Sequence, residues 1–462
     1  MNIAEAKEQI KRSVNIYLAK NPDGSYRIPI QKQRPVFLYG APGIGKTAIM
    51  EQISQEMDIS LVTYSMTHHT RQSALGLPFI VQKEYGGKSF DVSKYTMSEI
   101  IASVYEEMEK TGRKEGILFL DEINCVSETL GPAMLQFLQY KVFGNQRVPD
   151  GWVIVTAGNP PEYNRSVKEF DVVTMDRMKI MEIEPDFTAW RNYAVRVSLH
   201  KAILSYLDIK TEDFYGIETT VDGKNYITAR GWEDLSEALY LYEENGYPVD
   251  EGLISQYIRN ARVIGEFAAY YELFRKYRTD YRILEILEGT EPEEIRARAA
   301  AAPFDERITI VGLMMEMLLP KIKQNLDEEE ALIAEARDLR EVKAKLAAGV
   351  LTRSETEKFE ADKAVYMNAV GAMKAETEWI KKALSNAFSF TANNFGLGNE
   401  MLILVTELTV NYSSARFIAS KGCDEYFKYD KSYLLYERNK ELVEEIKRLE
   451  SMPPQERPST EI

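Results

Sequence analysis

The chain is short of the residues that build metal and redox centres. Its 462 residues include two cysteines and three histidines. Cys125 and Cys423 fall in unrelated segments and form no metal-binding or redox pattern. His68 and His69 are adjacent, so their side chains diverge in an extended segment, and His200 stands alone; no histidine-based metal site is expected. Long hydrophobic runs are also missing. No stretch approaches the roughly eighteen apolar residues of a membrane span. Met1 to Lys20 carries charges throughout, where a signal peptide would have an apolar run. Together these absences predict a reduced, cytoplasmic protein without membrane insertion. Basic charge is the third shortage: 57 Lys and Arg face 72 Asp and Glu, for a net charge of −15. Proteins that neutralise many phosphates usually carry a basic surplus, at least locally. The best basic candidate runs from Arg259 to Arg282, with Arg262, Arg275, Lys276 and Arg278 between. Its apolar residues, Ile258, Val263, Ile264, Phe267, Leu273 and Phe274, make it an amphipathic helix with a solvated basic face. A nucleic-acid partner is not expected.

The length suits two or three domains with sizeable cores. About the first 185 residues alternate helix and strand signals, which predicts a mostly parallel α/β sheet. A helix is expected over Ala4 to Ala19, closed by Asn21-Pro22-Asp23-Gly24. Strands are expected at Val36–Tyr39, Leu61–Tyr64, Gly116–Leu120, Trp152–Val155 and Met178–Ile183. Helices are expected at Thr47 to about Gln55, Ser98 to about Lys110 and about Thr129 to Tyr140. Pro78 to Tyr95 reads as a β-hairpin turning at Gly86-Gly87.

Between the first strand and its helix stand Gly40, Ala41, Pro42, Gly43, Ile44, Gly45, Lys46 and Thr47, reading GAPGIGKT. They fit the phosphate-binding pattern G-x-x-x-x-G-K-[ST] at every position, in the strand–loop–helix context that the chemistry requires. Glycines let backbone N–H groups turn inward around an anion, and the helix N-terminus adds its positive dipole end. Lys46 is the candidate for the β- and γ-phosphates of ATP, and the Thr47 hydroxyl for Mg²⁺. The strand from Gly116 ends ILFLDEIN, on Asp121 and Glu122. Two adjacent carboxylates are costly unless a cation compensates, so the pair implies Mg²⁺ held by Asp121 through its water shell. Glu122 is then the group that polarises the attacking water. A third signal is Asn159, at the end of VIVTAGNPP, where an amide can meet the γ-phosphate or the water.

The order of these motifs resembles an AAA+ ATPase, specifically the MoxR-like group within the helix-2-insert branch, over about residues 33–280. GAPGIGKT, LDEIN, TAGNP with Glu162-Tyr163, Met175-Asp176-Arg177 and Thr228-Ala229-Arg230 carry the resemblance. It implies Asn159 as sensor 1, Arg177 as arginine finger and Arg230 as sensor 2 opening a lid helix; Arg165 competes for the finger. The 78–95 hairpin falls where that family inserts one. Its tip, Lys83 to Lys88 with Tyr85, either lines a hexamer pore or is a decorative exposed hairpin. Two departures mark a divergent subfamily: Cys125 stands where a basic residue is usual, and Asp176-Arg177 is followed by Met178 rather than Phe. The resemblance implies a ring hexamer that hydrolyses ATP as a chaperone-like remodelling or maturation factor, often alongside a von Willebrand factor A domain partner. A nucleic-acid motor or clamp-loader-like ATPase is one alternative; a non-hydrolysing nucleotide-switched scaffold is another, against which the intact Asp121-Glu122 weighs.

The expected organisation is an α/β core over residues 1–186, a helical lid over 187–279, a helical extension over 280–450 and a disordered tail over 451–462. The lid comprises helices at Phe187 to about Leu207, Arg230 to Glu244 and Asp250 to about Tyr277, with a small hairpin at Tyr215–Tyr226. In the extension, Tyr366, Val370, Met373, Ile380, Leu384 and Ala387 keep an a/d-like spacing, as do Leu332, Ala336, Leu339 and Leu346. They predict an antiparallel helical hairpin over about 322–388, broken at Gly349. It is either a coiled-coil arm that docks a partner or part of a packed helical domain.

Overall fold

Among the described residues nine strands precede residue 184: β1 (Val36–Gly40), β2 (Ser60–Ser65), β3 (Pro78–Tyr85), β4 (Lys88–Tyr95), β5 (Gly116–Asp121), β6 (Val142–Phe143), β7 (Gln146–Arg147), β8 (Trp152–Gly158) and β9 (Lys179–Ile183). Five of them form one sheet in the order β2–β5–β8–β1–β9, with every neighbouring pair parallel. The computed structural model describes residues 1–68, 76–127, 129–143, 146–163, 167, 169–220, 223–347 and 352–431. They divide into two units, Met1–Trp190 with Phe214–Trp232, and Arg191–Asp213 with the residues from Glu233 onward.

In the first unit the strands read as continuous apolar runs because both faces of the sheet are covered. Successive side chains alternate between two cores. Phe37, Leu118, Leu120 and Ile154 pack on one side with Ile100, Ile101 and Val104 of the Glu99–Thr111 helix and Met134, Phe137 and Leu138 of the Gly131–Tyr140 helix. Val36, Leu38, Ile117, Phe119, Val153 and Val155 pack on the other with Ala6, Ile10 and Val14 of Ile3–Leu18 and Ile49, Met50 and Ile53 of Ala48–Met57. Local signals set the helix ends. Asn2 and Glu5 form a capping box at the start of Ile3–Leu18, and Gly112, at φ 71°, closes Glu99–Thr111.

The β3–β4 hairpin forms in the expected register, Pro78 opposite Tyr95 and Tyr85 opposite Lys88. Gly86 and Gly87 take φ of 58° and 75°, the two left-handed residues of a tight hairpin turn. Its strands leave Phe79, Ile80, Tyr85 and Phe90 exposed. The short β6–β7 pair was not foreseen; two-residue strands carry no periodicity to read. β10 (Gly216–Thr220) and β11 (Gly223–Ile227) form the small hairpin expected after Tyr215. Asp222, the Gly349 break, Arg165, His69 and the 451–462 tail lie outside the described residues.

The second unit is helical. The long helices Phe304–Ala347 and Arg353–Phe395 pair, and both extend beyond the expected hairpin. Pro320 lies inside the first of them. A proline breaks an exposed helix, but here Leu313, Met314, Leu318, Leu319 and Ile322 are all buried around it. The a/d seam grades along its length: Ile380, Leu384 and Ala387 are buried, whereas Tyr366, Val370 and Met373 are half-buried, as are Leu332, Ala336, Leu339 and Leu346. Residues 327–347 and 352–373 thus pair through a thin seam. At the other end a buried ionic network ties the Asn399–Val410 helix to the helices from Arg191 to Ile209. Arg191 grips Asp208 through two bonds of 2.5 and 2.7 Å, and Glu407 accepts from Arg191 at 3.3 Å and from Lys201 at 2.6 Å. His200, which the sequence left alone, caps Lys201–Ile209 by accepting the Ala202 N–H on Nδ1. Among the described residues no cluster of three or more His, Cys, Asp or Glu could hold a metal, and no helix is long and apolar enough to cross a membrane.

Glu407 is the anion shared by two buried cations, so its loss leaves charge uncompensated. Glu407→Ala is expected to lower unfolding free energy by about 3–5 kcal/mol, and Glu407→Gln by less, since it keeps one acceptor. Chemical denaturation checks this; a loss below about 1 kcal/mol for the alanine variant would refute it.

Candidate functional site

The carboxyl ends of β1, β5 and β8 carry the candidate residues, the edge where open parallel sheets bind ligands. β1 ends on Gly40, where a Cβ would stand 2.3 Å from the Ile183 carbonyl oxygen, so only glycine lets β1 and β9 approach there. The loop turns through Gly43 and Gly45, at φ of 73° and 92°, and Thr47 leads into the Ala48–Met57 helix. That helix begins with N–H groups that have no partner within the helix.

Lys46 is only 8% exposed. Its amine donates to the carbonyls of Gly40 at 2.9 Å and Ala41 at 2.7 Å and to Asn159 Oδ1 at 2.8 Å. All three N–H bonds are used, and every acceptor is neutral. Burial therefore pushes its pKa down to about 8; nearby Asp121 and Glu122 oppose the shift and Arg230 adds to it. The Thr47 hydroxyl donates to Asp121 Oδ2 at 2.7 Å, and the other Asp121 oxygen accepts the Glu122 N–H at 2.9 Å. Glu122 has a left-handed backbone, φ 55°, and accepts a long hydrogen bond of 3.4 Å from Ser65 at the end of β2. Cys125 is half-buried, and burial together with the two carboxylates pushes its thiol pKa up, away from a reactive thiolate.

Arg230 joins this group from a distant part of the sequence. It sits exposed in the first turn of the Ala229–Asn245 helix, and its backbone N–H donates to the Gly43 carbonyl at 3.2 Å. Thr228 caps that turn by accepting the Gly231 N–H, and its side chain lies where a Cβ on Gly43 would fall, at 2.9 Å. The Tyr215 hydroxyl donates to the Pro42 carbonyl at 2.8 Å. The loop is thus braced by residues 215–230. Thr228 had a signal, a threonine just before a helix start; Tyr215 and Ser65 had none, since each acts through a single long-range contact.

Arg177 is not brought to this cluster. It follows the Val172–Met175 turn, is exposed, and forms no ion pair among the described residues. β9 starts at Lys179, which pairs with Val36, and reaches the level of Gly40 only at Ile183. Arg177 therefore lies beyond the amino end of β9, more than roughly 13 Å along the strands from its own phosphate loop.

Residues 35–178 match the AAA domain, dynein-related subfamily. The matched segment spans the phosphate loop, Asp121-Glu122, Asn159 and Arg177, and ends before Arg230. Comparison with curated proteins gave no match. An AAA domain supports nucleotide hydrolysis, and its α/β core followed by a long helical region is the architecture expected from the sequence. The side chains fit a magnesium-bound nucleotide: a buried amine with only neutral acceptors, two left-handed glycines and a hydroxyl–carboxylate pair around one corner of the matched segment.

An anion beside Lys46 would restore the proton that burial disfavours. Phosphate binding is therefore expected to take up protons near pH 8, and ATP affinity to fall above it by up to about tenfold per pH unit. The sign follows from a free-state pKa near 8 that rises on binding. Calorimetric titration between pH 7.5 and 9.5, in buffers of different ionisation enthalpy, checks this; a flat dissociation constant with no proton uptake would contradict it.

Proposed function

We propose that this chain is a Mg²⁺-dependent ATPase of the MoxR-like type that assembles as a ring and remodels or matures protein clients. One observation carries the ATPase reading: at the ends of three adjacent strands Lys46 bonds Asn159, and its chain neighbour Thr47 bonds Asp121, which also accepts the Glu122 N–H. Lys46 exchanges its neutral acceptors for β- and γ-phosphate oxygens, and the loop N–H groups cradle the chain of phosphates. Thr47 and Asp121 would hold Mg²⁺, which would neutralise phosphate charge. Glu122 takes the proton of the attacking water, while Asn159 orients that water or the γ-phosphate. Arg230 senses the phosphates from the start of its helix. A ring is supported by the position of Arg177, which is far from its own loop and free to act on a neighbour's. The MoxR-like assignment is supported by the run of motifs from GAPGIGKT to TAR. A protein client is favoured by the acidic charge balance and by the apolar side chains along the β3–β4 hairpin. A von Willebrand factor A domain partner rests on the family resemblance.

Lys46→Ala should abolish ATP binding, whereas Glu122→Gln should bind ATP and hydrolyse it at least about a hundredfold more slowly. Binding and phosphate-release assays separate the two, and wild-type turnover in Glu122→Gln would remove the base from this scheme.

A finger acting across a subunit boundary contributes several orders of magnitude in rate. Arg177→Ala and Glu122→Gln should each be nearly inactive alone. Mixed rings contain interfaces with an intact Glu122 on one side and an intact Arg177 on the other, so mixing should recover activity that varies with the ratio. Subunit exchange is followed with labelled protein. Exchanged rings that stay inactive would exclude Arg177 as a finger in trans; recovery with Arg165→Ala in its place would move the role to Arg165.

A further inference from the structure

Asn124, three residues beyond Asp121, is only 3% exposed and contacts the main chain around Asn159 rather than the phosphate-facing side chains. The left-handed backbone of Glu122 reverses the chain after β5, and a tight turn over Ile123–Cys125 follows, closed by the Cys125 N–H on the Glu122 carbonyl at 2.9 Å. This carries Asn124 beneath the carboxyl end of β8. Its Nδ2 donates to the Asn159 carbonyl at 2.8 Å. Its Oδ1 lies against Gly158, where a Cβ would stand only 2.5 Å away. The residues after Asn159 are Pro160 and Pro161, which have no N–H with which to organise the turn themselves.

We infer that Asn124 is a positioning residue for hydrolysis: it fixes the main chain of Asn159, and so the amide that meets Lys46, through a fit that needs glycine at position 158. The inference rests on the ATPase reading of this site. Asn124 and Glu122 follow the same strand two residues apart, so one turn sets both the general base and the platform under the third strand's amide. A shift of about 1 Å in such a group is enough to slow chemistry by roughly a hundredfold while leaving ground-state binding nearly intact.

The test uses the full chain, with ATP affinity, KM and kcat measured together. Asn124→Ala is expected to keep ATP affinity and KM within about threefold and to lose about 10- to 100-fold in kcat. Asn124→Leu keeps the branched shape and the number of heavy atoms but cannot donate, so it should lose as much; it also serves if the alanine variant does not fold. Gly158→Ala should be impaired alike, because its methyl displaces Asn124. In the Asn124→Ala background the same methyl meets chiefly the Phe37 ring at 3.0 Å, and the further loss should not exceed about twofold. Wild-type kcat in Asn124→Leu would overturn the inference, as would losses that multiply in the double variant, or loss of ATP binding together with kcat in both Asn124 variants. If the unmodified protein does not hydrolyse ATP, or Glu122→Gln does not slow it, the ATPase reading itself fails and the inference with it.

Discussion

The site depends on a lysine held without a counter-ion. Lys46 is buried and bonded only to neutral oxygens, two from the end of β1 and one from the end of β8. Carbonyl and amide dipoles satisfy its hydrogens but do not neutralise its charge, so the cavity around it remains favourable to anions. That one constraint explains why the surroundings are built as they are. The acceptors must converge from two strands, the strands must lie side by side, and the glycines must let the loop fold back over the amine. Asp121 and Glu122 stand close enough to raise the lysine's basicity without capturing it, since Asp121 is occupied by Thr47 and by the Glu122 N–H.

Residues whose placement is written in local sequence were the ones that could be read. GAPGIGKT, the apolar strand ending in Asp121-Glu122, and the strand ending before Asn159 each need only a few consecutive positions. The Gly86-Gly87 turn and the a/d spacing from Tyr366 to Ala387 are legible for the same reason. What could not be read acts across the fold. Ser65 meets Glu122 because β2 and β5 pair in register, Ser65 beside Asp121. Tyr215 and Thr228 brace the phosphate loop from some 170 to 185 residues away. Pro320 stands inside a helix that is held by burial rather than by propensity.

The helical unit shows two ways of joining helices. Near Glu407 the joint is ionic and buried, with geometry that admits one arrangement. Toward the far end of the paired long helices the joint is a thin and, Phe359 apart, half-buried seam, with charged residues outside. The first kind makes a rigid base; the second has little packing to resist bending and much surface left for contacts. A register mark separates them: Asn325, fully buried, bonds the Met373 carbonyl and the Thr377 hydroxyl across the pair. A polar pair of this kind discourages sliding of one helix along the other.

Glu122 occupies a backbone conformation that suits glycine or asparagine better, at a penalty of roughly 1–2 kcal/mol for other residues. The turn that aims the carboxylate and returns the chain under β8 exists only because this residue tolerates that strain. Selection for heat resistance alone would therefore drift toward Gly or Asn here and yield a sturdier protein lacking this carboxylate. Position 122 is where the interests of the scaffold and of the chemistry part, and a redesign guided by folding energy has to be told to leave it alone.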